Sequence, residues 1–285
     1  MRLRFIPLIP LVIAATLAPL PAPPPPAAQG PAQTIAPNEL VRKVVANELA
    51  VSDQDHTHWM YRELAKLPPP RKEKTVVETR NGELTCLEAI DGRPLTPDER
   101  SAEDARIRIY IADNDEQRKA RRNSASDDKQ SEELFSMLPD AFLFKYAETS
   151  GDNVKLTFQP NPDFHAHDAE AFVFHKMDGY VVLNTKENRL VEIAGKLTNG
   201  VLLLGGLLGH LDPGGTFDVR QEEVAPGHWK IARLAVNMNG KVLFFKTINE
   251  QQDEVHSHFA QVPEGLTLAQ AEQMLHRQAV AKAGQ

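Results

Sequence analysis

The sequence predicts an α+β fold: a large twisted antiparallel β-sheet, half closed into a barrel, with N-terminal, inserted and C-terminal helices on one side. Three patterns carry that expectation. From Ala141 to about residue 260, apolar residues recur at every second position between short turns, with no helical segment among them, which is the pattern of antiparallel neighbours. Residues 97–137 are instead dense in Asp, Glu, Lys, Arg and Gln, contain no glycine and carry only a thin apolar stripe. That is the mark of solvated helices docked by a narrow face. Residues 37–51 and 267–279 have apolar residues at helical spacing, the first segment opening on a proline suited to a first turn.

Taken in order, Leu40, Val44, Val45 and Leu49 form the buried stripe of the first helix. A short strand over 58–64 and a Pro68-Pro69-Pro70 break follow. Residues 75–78 and 84–90 read as a hairpin about Asn81-Gly82, closed by a second turn at Asp91-Gly92-Arg93-Pro94. The charged segment reads as two helices broken near Asn114. Phe142, Phe144 and Tyr146 then alternate, as do Val154, Leu156 and Phe158 after Gly151-Asp152-Asn153. Further strands are read at 172–175, 180–184 and 190–194, with turns at Asp178-Gly179 and 186–188. Strands at 217–222, 229–236, 242–248 and 255–260 complete the sheet, the middle pair turning at Asn239-Gly240.

The first thirty residues have the parts of a cleavable export signal: Arg2 and Arg4, a charge-free apolar stretch from Phe5 to Leu20, and a Pro/Ala-rich tract with Ala28 and Ala32 suited to cleavage. The apolar stretch is short for a hydrocarbon core of ~30 Å and is interrupted by Pro7, Pro10 and Pro19. The expectation is therefore an exported protein, periplasmic or else secreted, without a stable membrane anchor after cleavage. Residues 1–32 are read as the signal and 33–285 as a single domain bearing the insertion at 97–137. Cys86 is the single cysteine, so neither an internal disulfide nor a lipid-modified N-terminal cysteine is expected.

Losing Arg2 and Arg4 takes the formal charge from −7 to −9. Such a chain lacks the basic footprint that phosphate backbones require, so nucleic acid is excluded as partner. Arg118, Lys119, Arg121 and Arg122 cluster, but Asp113, Asp115, Glu116, Asp127 and Asp128 flank them as on a solvated helix face.

No Gly-x-Ser-x-Gly elbow, phosphate loop or dinucleotide fingerprint occurs. Cys86 reads as a small buried strand residue, and the carboxylates read as solvating groups of helices and turns. Histidine stands out. His56/His58, His165/His167 and His256/His258 are three His-x-His pairs, where chance placement gives roughly 0.3. Residues i and i+2 of a strand share a face and can ligate one zinc. His165-Ala166-His167-Asp168 begins like the metallo-β-lactamase motif but continues with Ala169. If Val255 and Phe259 point inward, His256 and His258 face solvent. No cofactor is implied, and His165 and His167 are the candidate metal ligands should one exist.

The apolar run 201–211, broken by Gly205, Gly206 and Gly209, reads either as a buried strand that bends or as an apolar lip carrying Leu207 and Leu208.

The stretch Gly179-Tyr180-Val181-Val182-Leu183-Asn184-Thr185-Lys186-Glu187-Asn188-Arg189-Leu190-Val191-Glu192-Ile193 and the later Gly240-Lys241-Val242-Leu243-Phe244-Phe245-Lys246-Thr247-Ile248 resemble hairpins of the outer-membrane lipoprotein-sorting group, LolA and LolB, and the related RseB-like envelope sensors. The chain is also similar to a set of exported bacterial proteins sharing this tail. The resemblance spans roughly the last half of the sequence. It implies a half-barrel whose concave apolar side takes up acyl chains without chemistry, so that an apolar ligand or lipoprotein is the expected partner. Phe142, Phe144, Leu156, Phe158, Phe172, Phe174, Val181 and Leu183 are the candidate residues, as closed core or as ligand cavity. Two other readings stand beside it: an envelope sensor or scaffold meeting a protein partner through the charged helices, and a metal-dependent hydrolase built on the His-x-His pairs.

Overall fold

Turn chemistry and strand alternation decide where the elements stop. In this computed structural model, which describes residues 35–166, 171–203, 209–242 and 246–283, helix α1 (Pro37–Gln54) leads into strands β1 (Trp59–Leu67), β2 (Lys72–Thr79), β3 (Gly82–Ile90) and β4 (Arg93–Pro94). Helices α2 (Pro97–Ala112) and α3 (Asn114–Ala141) follow. Next come β5 (Phe142–Ser150), β6 (Asn153–Pro160), a 3-10 turn over Ala171–Lys176, β7 (Met177–Asn184) and β8 (Arg189–Leu197). The remaining elements are β9 (Val201–Leu203), β10 (Gly209–Leu211), β11 (Thr216–Ala225), β12 (His228–Val242), β13 (Lys246–Gln261) and α4 (Leu268–Ala283). The export signal read at 1–32 lies outside the described residues, as do His167, Leu207 and Leu208.

The described strands form one open antiparallel sheet in the order β4-β3-β2-β1-β13-β12-β11-β8-β7-β6-β5, with the β9–β10 hairpin set against β12. The α+β class holds. Asp91 and Gly92 both take positive φ, 52° and 78°, as a two-residue hairpin turn of the mirror-image type requires. The first hairpin turns one residue earlier than read, on Arg80-Asn81, because only Gly82 there has positive φ. Two other glycine turns are absent. Gly179 lies within β7 and Gly240 within β12, and at each a Cβ would collide with a backbone carbonyl of the neighbouring strand. They are close-approach glycines rather than corners. The strand read at 172–175 is the 3-10 turn.

Cross-strand partners point to the same face. One continuous row runs Ala65–Glu254–Leu234–Val219–Ile193–Val181–Leu156–Tyr146 across the sheet. At the β5–β8 end this face is buried by α1, through Leu40, Val41, Val44 and Val45, and by the last turns of α3. Met60 and Val77 point the other way, into a second core with Leu84, Cys86, Ile107 of α2, and Leu268, Ala271 and Leu275 of α4. The helices therefore cover opposite faces at the two ends, rather than one side throughout. Period-2 alternation marks the two faces of a strand but not which face a distant helix will choose.

β3 pairs with the short β4 only at Ala89 and Ile90, which leaves the rest of its outer edge open to strand addition. Side chains of α2 occupy that edge. Leu87 N–H donates to Glu103 Oε1 (2.8 Å), and Arg106 Nη2 donates to Thr85 O (2.6 Å) while bridging Glu103. Burial works to raise the Glu103 carboxyl, but Arg106 and the Leu87 amide outweigh it and hold it below the ordinary range. A depressed carboxylate contributes stability above its unfolded pKa and loses it as pH falls. Glu103→Ala is expected to cost about 1–3 kcal/mol in urea unfolding at pH 7. The gap from the unaltered protein should narrow as pH falls below the ordinary glutamate range.

Candidate functional site

Gly179 and Gly195 face each other across β7 and β8. Cβ atoms there would meet Phe158 Cζ at 2.8 Å and Phe217 Cε1 at 2.6 Å, so the glycine pair lets two phenyl rings settle onto the sheet. Above them lies an apolar recess of about 240 Å³. Its walls are Phe142, Phe158, Phe174, Met177, Ile193 and Phe217 below, and Leu134, Phe135 and Leu138 of α3 above, with Ser131 the sole polar residue. Phe142 packs against Phe158 and Phe174 with ring centroids 4.5 and 5.3 Å apart.

Of the residues proposed from the sequence, Phe142, Phe158 and Phe174 line this recess. Phe144, Leu156, Val181 and Leu183 are buried in the same core, which α1 fills. Phe172 departs from the set: it sits on the 3-10 turn, is 45 % exposed and meets the His175 ring edge-on. Sequence reading missed Phe217, Ile193 and the α3 residues. The legible signal for Phe217 was a glycine within a strand, which marks a close neighbour. Two of the larger hollows are of mixed polarity. One, of about 680 Å³, crosses the outer face past Lys145, Tyr180 and Lys196; the other, of about 650 Å³, lies between α3 and β3 beside Glu83, Arg121 and Asp128.

Towards β1–β3 the face that carries the recess turns polar. Tyr61, Glu63, Lys74, Glu78 and Glu83 project from β1–β3, with Glu254, His256 and Phe259 from β13. Burial pushes the Tyr61 hydroxyl and the Glu78 carboxyl up; Lys230, 3.9 Å from Glu78, works against the latter. Desolvation beside Glu78 and Glu63 also raises Glu83, although it keeps exposed surface and water screens the effect. Carboxylates read individually as solvating groups are thus gathered into one patch.

Among the described residues, the members of the His-x-His pairs do not assemble with one another. His165 is exposed and bonds Asp163 O, and His56 and His58 lie in the loop before β1. His256 does not face solvent: a bulge at His258, with φ 57°, brings His256 and Phe259 to the same side, both against Tyr61. Cys86 is buried, and burial pushes its thiol up against the opposing effect of Arg100. No described helix is long and apolar enough to cross a membrane.

The fold and site define an open antiparallel α+β sheet with an apolar recess beneath a helix. No protein-family model, curated protein or solved structure matches the chain.

Proposed function

We propose that this is an exported, non-catalytic binding protein that takes an apolar group, such as the end of an acyl chain, into the recess beneath α3. The observation that supports the reading is the lining: nine apolar side chains and one serine around about 240 Å³. That is smaller than a typical drug-sized site, so it suits part of a chain rather than a whole lipid. The likeness to lipoprotein carriers points to the same class of ligand, and the signal-like residues 1–32 point to the cell envelope as the place.

The test is binding of a fluorescent fatty acid, together with Ser131→Trp. Ser131 is exposed at the rim, where substitution changes stability by about 0.5 kcal/mol or less. A tryptophan there is expected to plug the recess and cut binding at least tenfold with a near-native melting curve. Absence of saturable binding, or unchanged affinity in this variant, rejects the proposal. Fractionating cells that express the chain with and without residues 1–32 checks export separately.

A further inference from the structure

Glu254 and His256 are two apart on β13, and Glu63 is the cross-strand partner of His256 on β1. Strand geometry therefore aims all three side chains at one point. One ligand-competent atom from each lies within 4.8 Å of the others, a convergence found once among the described residues.

His256 is the informative member. Its Nδ1 lies 3.1 Å from Ile231 O. A carbonyl oxygen only accepts, so Nδ1 carries the hydrogen, and in the neutral ring Nε2 is the nitrogen left to bind a metal. Nε2 is buried without a hydrogen-bond partner, and the carboxylate oxygen Glu254 Oε2 is 3.7 Å away, beyond hydrogen-bonding reach. The Tyr61 ring, 5.0 Å from the imidazole, holds its plane. A histidine that donates one ring nitrogen to a backbone carbonyl and points a bare second nitrogen at carboxylates has the orientation that metal-ligating histidines adopt.

Charge favours the same reading. Glu63 is buried, and the Lys74 ammonium reaches its Oε1 at 2.5 Å. Lys74 keeps exposed surface and can withdraw to water, while the second oxygen of Glu63 stays available. Glu78 and Glu83 add negative charge around the point.

We infer that Glu63, Glu254 and His256 form a binding site for a divalent first-row metal ion, Zn²⁺ foremost. One nitrogen and two carboxylate oxygens make a three-ligand set that leaves a coordination position free. The site is independent of the apolar recess.

The experiment is calorimetric titration of Zn²⁺ into chelator-treated protein, with Co²⁺ absorption as a report on coordination. One equivalent is expected to bind. Glu254→Gln and His256→Gln should each weaken binding by about tenfold or more, and the Co²⁺ band should be lost in the histidine variant. His258→Gln, whose imidazole instead meets Ser257, should leave affinity unchanged. Lys74→Gln, which removes the competing ammonium, should tighten binding about threefold. Absence of saturable binding, affinity in either site variant equal to that of the unaltered protein, or the same loss in His258→Gln overturns the site. If a site variant does not fold, nitrogen NMR of the unaltered protein decides: Zn²⁺ must move His256 Nε2, and an unmoved resonance overturns the assignment.

Discussion

Replacing Glu48 of α1 with alanine is expected to remove about 3–5 kcal/mol of stability, the cost of stranding a buried charge. Glu48 receives Arg189 Nε and Nη2 at 2.9 Å each and also accepts the Leu190 amide at 2.6 Å. The two side chains are 11 % and 7 % exposed, and Arg189 lies over the Trp229 ring at 5.7 Å. Alanine leaves the guanidinium buried without its counter-ion and strands the strand's first free amide. Urea unfolding of Glu48→Ala, Arg189→Met and a Glu48→Leu/Arg189→Met pair separates the contributions. Either single change should be severe and the double apolar pair much milder, since two desolvation costs then vanish together. A double variant as unstable as the singles would show that the packing of α1 on β8, not the charge balance, dominates.

Phe142→Ala is expected to cost about 3–5 kcal/mol, the range for a large aromatic removed from a core. Phe142 is 1 % exposed, touches Phe144, Phe158 and Phe174, and sits where α3 ends and β5 begins. Its ring also forms part of the recess wall, so the truncation enlarges that space. A fatty acid added to the variant should recover part of the lost melting temperature if the ligand fills the vacated volume. Unchanged melting with ligand would separate the ring's structural role from any role in binding.

Much of the architecture was legible because it is written in local spacing. The helix period over 37–51, the break near Asn114 and the alternation through Phe142, Phe144, Leu156 and Phe158 all describe chain segments that decide their own form. What escaped is the information held between segments. Gly179 and Gly240 looked like corners, yet their meaning depends on Phe158 and on the carbonyl of His210 across the sheet. Phe172 fitted a strand by composition, but the chain there turns as a 3-10 helix. The direction of His256 depends on one bulged residue, and a single inserted position reverses every later side chain. Glu48 and Arg189 are 141 residues apart, so nothing in either neighbourhood announces the pair. The inward charges of Glu63 and Lys74 were the readable clue. Ionic residues alternating with Tyr61 and Val76 on a strand face mark a polar interior rather than a surface.

The order of the strands sets when this protein can finish folding. β1 lies between β2 and β13, and Trp59 pairs with Gln261, roughly 200 residues away along the chain, a separation typical of slow-closing topologies. α4 then seals the core over β2 and β3. The core holding Val77 and Leu84 therefore stays incomplete until β13 and α4 have been synthesised. A chain truncated before β13 is expected to remain protease-sensitive even with most of its strands present. This late-closing topology delays completion of the native fold until the last strand is available.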